Sequence, residues 1–180
     1  MKIAILLANG FEEIEALTPL DVLRRAGVTV DTVGIGAKTI IGAHNIPVIA
    51  DITDSEADAN SYDGVIFPGG MPGAVNLDKA DFTDEIIDAV KEKGGLLAAI
   101  CAAPLVLGRR GLLEGKNATC YPGFEGELKG ALVSPLGVVT DGNVVTAKGM
   151  GVALEFAKEL TSLLVSKEES NKIAKAIMQE

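Results

Sequence analysis

The chain has 180 residues, a formal net charge of −9 and two cysteines. This length fits one domain with a sizeable hydrophobic core. The acidic balance, without any basic cluster, argues against nucleic-acid binding, which depends on neutralising phosphates. No apolar run is long enough to span a bilayer, and Met1 leads directly into a strand pattern, so we expect neither a membrane anchor nor a signal peptide. The two cysteines lack disulfide or metal-ligand spacing, which predicts a reducing, cytoplasmic location and no metal site.

Short apolar runs alternate with helical patterns along the chain. This alternation predicts an α/β fold with a mostly parallel sheet, covered by helices on both faces. Predicted strands are Lys2–Ala8, Val28–Ile35, Gly64–Phe67, Leu96–Ile100, Asn117–Cys120, Leu132–Val133, Val138–Thr140 and Val144–Ala147. Helices are predicted from Phe11, over Ala80–Lys93, after Cys101, after Gly149 and over Lys167–Glu180, with a hairpin at Thr39–Ala50 and a polar surface segment at Ser55–Tyr62.

The first helical pattern contains a proline. Apolar positions recur from Phe11 onwards, and Gly27 follows as a terminator. Pro19 either kinks this helix or divides it, with Thr18 as the cap of a second piece. Both alternatives place Glu15 in an irregular turn, at the end of the first strand where the helix begins.

Cys101 stands where a buried strand changes into a helix. The run Leu96–Ile100 is apolar throughout, and small residues with Pro104 follow the cysteine, as in the first turn of a helix. A strand, a sharp turn and a helix with the nucleophile at the turn form a nucleophile elbow. Because the N–H groups at a helix start favour a thiolate, we expect the Cys101 thiol to titrate well below an ordinary cysteine, and Cys120 not to. The alternative is a buried cysteine that acts as a small hydrophobic residue.

Two more stretches end at the same edge of the predicted sheet, where ligands bind in such folds. Gly69 and Gly70 let backbone N–H groups approach a ligand, and with the N–H of Ala102 they could hold an oxyanion beside the sulfur. The alternative is a plain strand-to-helix turn. If Glu15 faces the thiol, we expect the sulfur to lose the first proton, which leaves Glu15 protonated as a general acid/base. The alternative is a solvated helix carboxylate.

His44 is the single histidine of the sequence. Histidine is the usual base for a catalytic cysteine. His44 belongs to the predicted hairpin, so a surface or subunit-contact role is expected in preference to a pair with Cys101. Glu12 and Glu13 are expected to face water and to favour the start of the first helix.

Six motifs together resemble a known family. They are EEIEA (Glu12–Ala16), LDVLRRAG (Leu20–Gly27), YDGVIFPGGMPGA (Tyr62–Ala74), AAICAAP (Ala98–Pro104), TDGNVVTAKG (Thr140–Gly149) and ALEFA (Ala153–Ala157). The combination resembles the ThiJ/PfpI superfamily and, within it, the branch of the Parkinsonism-associated protein deglycase. The resemblance covers nearly the whole chain. It implies a single domain over residues 1–180, a flavodoxin-like three-layer sandwich and a homodimer.

The resemblance also implies roles for the residues described above. Cys101 would be the oxidisable nucleophile of the family, and Glu15 the carboxylic acid beside it. The backbone N–H groups of Gly69, Gly70 and Ala102 would bind an anion.

Three positions qualify this resemblance. The protease-like branch carries histidine directly after the cysteine, where this chain has Ala102, so no peptidase activity is expected. Deglycase-like members often carry a histidine at the position of Tyr121, which can donate a hydrogen bond but does not shuttle protons at neutral pH. Lys148 stands where some relatives carry arginine, and it could attract an anionic ligand or an oxidised sulfur.

The resemblance implies two alternative functions. One is a cofactor-independent glyoxalase or deglycase activity on methylglyoxal, glyoxal or their adducts, with Cys101 as nucleophile and Glu15 as general acid/base. The other is an oxidative-stress sensor or chaperone-like protein that works through oxidation of Cys101 to sulfinate. Both need the same residues, so the sequence does not separate them.

Overall fold

The computed structural model describes residues 1–179, which form an α/β structure. Its strands are β1 (Lys2–Leu7), β2 (Thr29–Gly34), β3 (Thr39–Ile41), β4 (Pro47–Ile49), β5 (Ile52–Thr53), β6 (Gly64–Phe67), β7 (Leu96–Ile100), β8 (Asn117–Ala118), β9 (Leu132–Val133), β10 (Val138–Asp141) and β11 (Val144–Ala147). Its helices are α1 (Glu13–Arg25), α2 (Gly73–Asp78), α3 (Asp81–Glu92), α4 (Pro104–Arg109), α5 (Ala153–Leu164) and α6 (Lys167–Ala176). Among residues 1–179, no helix combines the length and apolar character that a membrane crossing requires.

A seven-stranded sheet forms the centre of the molecule, in the order β10-β11-β7-β6-β1-β2-β5. Only β10 runs antiparallel to its neighbour, at one edge. Every residue of β6 and β7 is buried, which explains their nearly continuous apolar sequences. Helices α1 and α5 cover one face, where Leu23 and Phe156 enter the core. Helices α2, α3 and α4 cover the other, where Ile86 and Leu105 are buried. The predicted three-layer sandwich is confirmed.

The strand order brings three loops together. β1 pairs with β2 on one side and with β6 on the other, and β6 pairs in turn with β7. The strands are parallel, so the loops that follow β1, β6 and β7 leave the same edge of the sheet. In an open α/β sheet the crevice at such a point is the usual place for a ligand.

The smaller elements were predicted only in part. The predicted hairpin is confirmed as the antiparallel pair β3 and β4, outside the main sheet. The sequence did not predict α2 or the short edge strand β5. Helix α2 contains glycine, asparagine and aspartate, which are weak helix formers, and it is stabilised by the burial of Ala74 and Leu77.

Helix α1 runs unbroken through Pro19. The prediction of an irregular turn at Glu15 is therefore wrong, because Glu15 lies in the first turn of a single helix. A proline inside a helix removes one backbone hydrogen bond. Burial of Ala16, Pro19 and Leu23 on the core side of α1 offsets that loss.

Candidate active site

Cys101 occupies a strained turn directly after β7. Its φ angle is 65°, which is the left-handed region that residues with a Cβ seldom adopt. The Cys101 N–H donates to the carbonyl of Ala147 at 2.8 Å, and its own carbonyl accepts from Tyr121 N–H at 2.8 Å. These two hydrogen bonds hold the unfavourable backbone conformation. The predicted elbow of strand, sharp turn and helix is present, with α4 beginning at Pro104.

Glu15 points from the first turn of α1 into the crevice beside this thiol. The residue is only 1% exposed. Its Oε2 accepts a 3.0 Å hydrogen bond from the backbone N–H of Gly69, and the nearby Cys101 side chain acts to lower the pKa of the carboxyl group. A Cβ added to Gly69 would lie 2.6 Å from both Cys101 Cβ and Glu15 Oε2. The alternative of a solvated Glu15 carboxylate is thus excluded. The segments that follow β1, β6 and β7 meet at this point.

The pKa values of the two acids are coupled. Burial raises the pKa of Glu15 to about 7, although hydrogen bonds from Cys101 and Gly69 oppose the change. Burial and the negative charge of Glu15 raise the pKa of the Cys101 thiol to about 12. A carboxylic acid with a pKa near neutrality is well suited to general acid/base catalysis at physiological pH.

The sequence prediction of an acidic Cys101 thiol is therefore wrong. We expected the N–H groups at the helix start to dominate, but α4 begins only at Pro104 and is short. Burial and the Glu15 charge outweigh the backbone N–H groups of Gly70 and Ala102, which do lower the thiol pKa. Burial thus raises the pKa of both groups, and for the thiol this is the opposite of the predicted direction. The Cys120 thiol is also buried, and burial raises its pKa to about 11.

The predicted anion-binding N–H groups divide into two kinds. Gly69 N–H is bonded to Oε2 of Glu15, so it orients the carboxylate. The N–H groups of Gly70 and Ala102 face the sulfur of Cys101. Gly70 has a φ of 86°, which favours glycine at this turn. Both donors are placed to bind an oxygen atom attached to the Cys101 sulfur or to its adduct.

Tyr121 and Lys148 line one cavity, of about 210 Å³, next to this pair. Gly149 lies between this cavity and the Glu15 carboxyl group. A Cβ added to Gly149 would lie 3.4 Å from the Tyr121 ring and 3.7 Å from Glu15 Oε1. Met150 borders the same cavity. The Lys148 ammonium donates to the carbonyl of Pro135 at 2.7 Å, so its charge is held at the cavity wall.

The hairpin histidine does not approach Cys101 as a base. His44 Nδ1 lies 3.0 Å from Glu13 Oε2, and the ring is 66% exposed. Sequence reasoning placed Glu13 in water, whereas its side chain is only 5% exposed. Glu13 Oε1 accepts from the His44 N–H at 2.9 Å, which anchors the hairpin to α1. Glutamate is seldom buried, and no local pattern marked this position.

Comparisons with known proteins agree with this arrangement. The model of the DJ-1/PfpI family matches residues 1–163. The Drosophila melanogaster protein dj-1beta is 34% identical over 177 residues, which cover 97% of this chain and 95% of that protein. The Parkinson disease protein 7 homolog of Danio rerio is 34% identical over 169 residues, covering 91% of this chain and 89% of the relative.

Solved structures show the same likeness in three dimensions. The oxidised DJ-1 of Toxoplasma gondii superposes with a TM-score of 0.94 at 34% identity, covering 98% of this chain and 97% of the other. The Drosophila melanogaster DJ-1beta structure gives a TM-score of 0.92 at 32% identity, with 99% and 98% of the two chains covered. Sequence and structure agree over nearly the full length of each relative, and the chain belongs to the DJ-1/PfpI family.

Proposed function

We propose that the protein is a cofactor-independent hydrolase of reactive carbonyls, such as methylglyoxal, glyoxal or their adducts with amines and thiols. The observation that carries the proposal is the contact between a strained, half-buried thiol and a buried carboxyl group whose pKa is about 7. A nucleophile next to a group that can both accept and return a proton fits glyoxalase- or deglycase-like chemistry.

The first step is addition of the sulfur to the aldehyde carbon of methylglyoxal. The Glu15 carboxylate accepts the thiol proton as the S–C bond forms and the carbonyl electron pair moves to oxygen. The resulting oxyanion would accept hydrogen bonds from the N–H groups of Gly70 and Ala102, which face the sulfur. Glu15 then returns its proton to this oxygen, which gives a neutral hemithioacetal and restores the carboxylate.

The second step moves a proton between carbons. The Glu15 carboxylate removes the proton from the former aldehyde carbon, and the electron pair moves through a new C=C bond to the neighbouring carbonyl oxygen, which gives an enediolate. The hydroxyl proton of the first carbon passes to this second oxygen, and Glu15 returns the carbon proton to the neighbouring carbon, which gives a lactoyl thioester on Cys101. Water hydrolyses the thioester to lactate and the free thiol, so the sum is methylglyoxal plus water to lactate and one proton.

A second candidate function is a sensor of peroxide. It is favoured by the two N–H groups of Gly70 and Ala102 that face the sulfur, because sulfinate oxygens would accept from them. The solved Toxoplasma gondii relative is described as oxidised. In this chain two molecules of hydrogen peroxide would convert the Cys101 thiol to sulfinic acid and release two of water.

One experiment separates the two candidates. Lactate formation from methylglyoxal is measured with the wild-type protein, with Cys101→Ser and with Cys120→Ser as the matched cysteine control. The hydrolase predicts turnover in the wild type and in Cys120→Ser and none in Cys101→Ser. Absence of wild-type turnover, together with conversion of Cys101 to sulfinate by peroxide in a mass spectrum, would favour the sensor.

We also propose that the protein acts as a homodimer in the cytoplasm. An apolar groove of about 570 Å³ runs along α1 and includes Ile14, Leu17, Ile46 and Ile177. Leu17 is 36% and Ile46 51% exposed, which favours an occupant. Asp21 and Arg25 lie in the same groove, so an antiparallel second copy of α1 would present the opposite charge to each. Two free thiols favour the reducing cytoplasm.

A further inference from the structure

Glu12, Glu13 and His44 form a cluster of metal-type donors on the side of α1 that faces the hairpin. One ligand atom from each of the three lies within 4.8 Å of the other two. His44 Nδ1 is 3.0 Å from Glu13 Oε2 and 3.5 Å from Glu12 Oε2. Neither the catalytic pair nor the cavity beside it includes these side chains, so they form a separate site.

The cluster holds more negative charge than its neighbours compensate. The side chains of Glu12 and Glu13 are only 14% and 5% exposed. Among residues 1–179, no lysine or arginine forms an ion pair with either carboxylate, and His44 is their shared partner. Two shielded carboxylates facing one imidazole retain a net negative charge even when the ring is protonated, and a bound divalent cation would neutralise it.

Glu13 is held in a ligand-ready position by atoms outside the donor set. Its Oε1 accepts the backbone N–H of His44 at 2.9 Å and that of Ile46 at 3.5 Å. Its Oε2 has no other hydrogen-bond partner than the His44 ring among the described residues. A buried carboxylate oxygen therefore points into the cluster, and backbone donors of this kind orient metal ligands in other proteins.

The distances from His44 Nδ1 to the two carboxylate oxygens match one small coordination sphere. Ligand atoms about 2.0–2.2 Å from a zinc ion lie about 3.0 Å apart at a right angle and about 3.4 Å apart at a tetrahedral angle. The observed separations of 3.0 and 3.5 Å fit these values. The exposed His44 ring leaves room on the solvent side for water ligands. An imidazole nitrogen among the donors disfavours Ca²⁺ and Mg²⁺, which prefer oxygen.

We infer that Glu12, Glu13 and His44 bind a divalent transition-metal ion, with Zn²⁺ as the representative ion. Each carboxylate supplies one oxygen and His44 supplies Nδ1 in place of its proton. Water completes the coordination. The site is distinct from the Cys101–Glu15 pair and does not depend on the proposed carbonyl chemistry.

The test is calorimetric titration of Zn²⁺ into the full chain and four variants. His44→Gln keeps an amide that can donate to Glu13 but supplies no imidazole, and Glu12→Gln removes a carboxylate that has no other described partner. Glu15→Gln and Cys101→Ser are the controls for metal bound at the thiol. We expect one equivalent of Zn²⁺ in the wild type and both controls, with at least tenfold weaker binding in His44→Gln and Glu12→Gln.

Co²⁺ in place of Zn²⁺ gives a second readout, since a thiolate ligand produces an intense near-ultraviolet absorption that oxygen and nitrogen ligands do not. We expect visible cobalt bands without that absorption. Equal affinity in His44→Gln, loss of binding in Cys101→Ser, or absence of wild-type binding would each overturn the inference. Circular dichroism melting of His44→Gln checks that the fold is retained.

Discussion

The backbone N–H of Gly69 donates a 3.0 Å hydrogen bond to Oε2 of Glu15, from a position 54 residues further along the chain. The other carboxyl oxygen, Oε1, lies on the side of Gly149 and the adjoining cavity. Gly69 thus has a positioning role, and the acid/base function of Glu15 depends on a loop from the neighbouring strand.

The replacement Glu15→Gln distinguishes the nucleophilic role of Cys101 from the proton transfer assigned to Glu15. Glutamine keeps the size of the side chain and can still accept from Gly69, but it transfers no proton. Turnover of methylglyoxal should fall about 10²–10⁴-fold, the usual contribution of general acid/base catalysis. Loss of the Glu15 charge should lower the Cys101 pKa from about 12, so alkylation by iodoacetamide at neutral pH should be at least as fast as in the wild type.

Both rates are measured on the same Glu15→Gln sample, with mass mapping to assign the alkylated cysteine. Glu15→Asp is the matched variant that keeps an acid but shortens its reach. Retained turnover in Glu15→Gln would remove Glu15 from the mechanism. Slower alkylation would mean that its charge does not control the thiol.

Glu15 should make folding stability depend on pH. Its pKa is about 7 in the folded protein and 4.5 as an ordinary carboxyl group, so the folded state binds the proton more tightly. Wild-type stability should therefore fall as the pH rises through this interval, by about 3 kcal/mol from this group. Glu15→Gln lacks the effect, and its stability relative to the wild type should increase by that amount.

Urea unfolding at about pH 5 and about pH 8 measures most of this difference, because the titration of groups remote from Glu15 cancels between the two proteins. A relative stability that stays the same at both pH values would show that the carboxyl group titrates normally.

Gly69→Ala should disable the site. The new Cβ would lie 2.6 Å from Cys101 Cβ and from Glu15 Oε2, so one of these groups must move. We expect turnover to fall by at least tenfold, since a displacement of about 1 Å at a catalytic group costs on the order of 10²-fold. Gly126→Ala is the control, because no atom lies within 4 Å of its added Cβ. Equal kinetics in the two variants would contradict the assigned role of Gly69.

Leu17→Glu should dissociate the proposed dimer. This side chain lies in the apolar groove along α1, where an added carboxylate would be desolvated by a second copy. Sedimentation equilibrium at micromolar concentration should show dimer in the wild type and monomer in Leu17→Glu. Leu136→Glu is the control, because Leu136 is 63% exposed and lies outside the groove. A dimeric Leu17→Glu would place the interface elsewhere.

Much of the fold was predictable, because apolar runs such as Gly64–Phe67 and Leu96–Ile100 become strands buried on both faces. The meeting of Cys101, Glu15 and the glycine loop followed from the shared edge of parallel strands. The thiol pKa was not predictable, since burial and the Glu15 charge depend on distances that only the folded chain defines. The burial of Glu13 was not predictable for the same reason, because its hydrogen-bond donors come from a distant hairpin.

The backbone hydrogen-bond partners of Cys101 lie far from it in the sequence, and this has a consequence for how the site is assembled. Its N–H is bonded to Ala147 and its carbonyl to Tyr121, both of which are synthesised later. Contacts between distant segments form late in folding. The backbone conformation of Cys101 therefore has both of its hydrogen bonds only once β11 has joined the sheet and Tyr121 is in place.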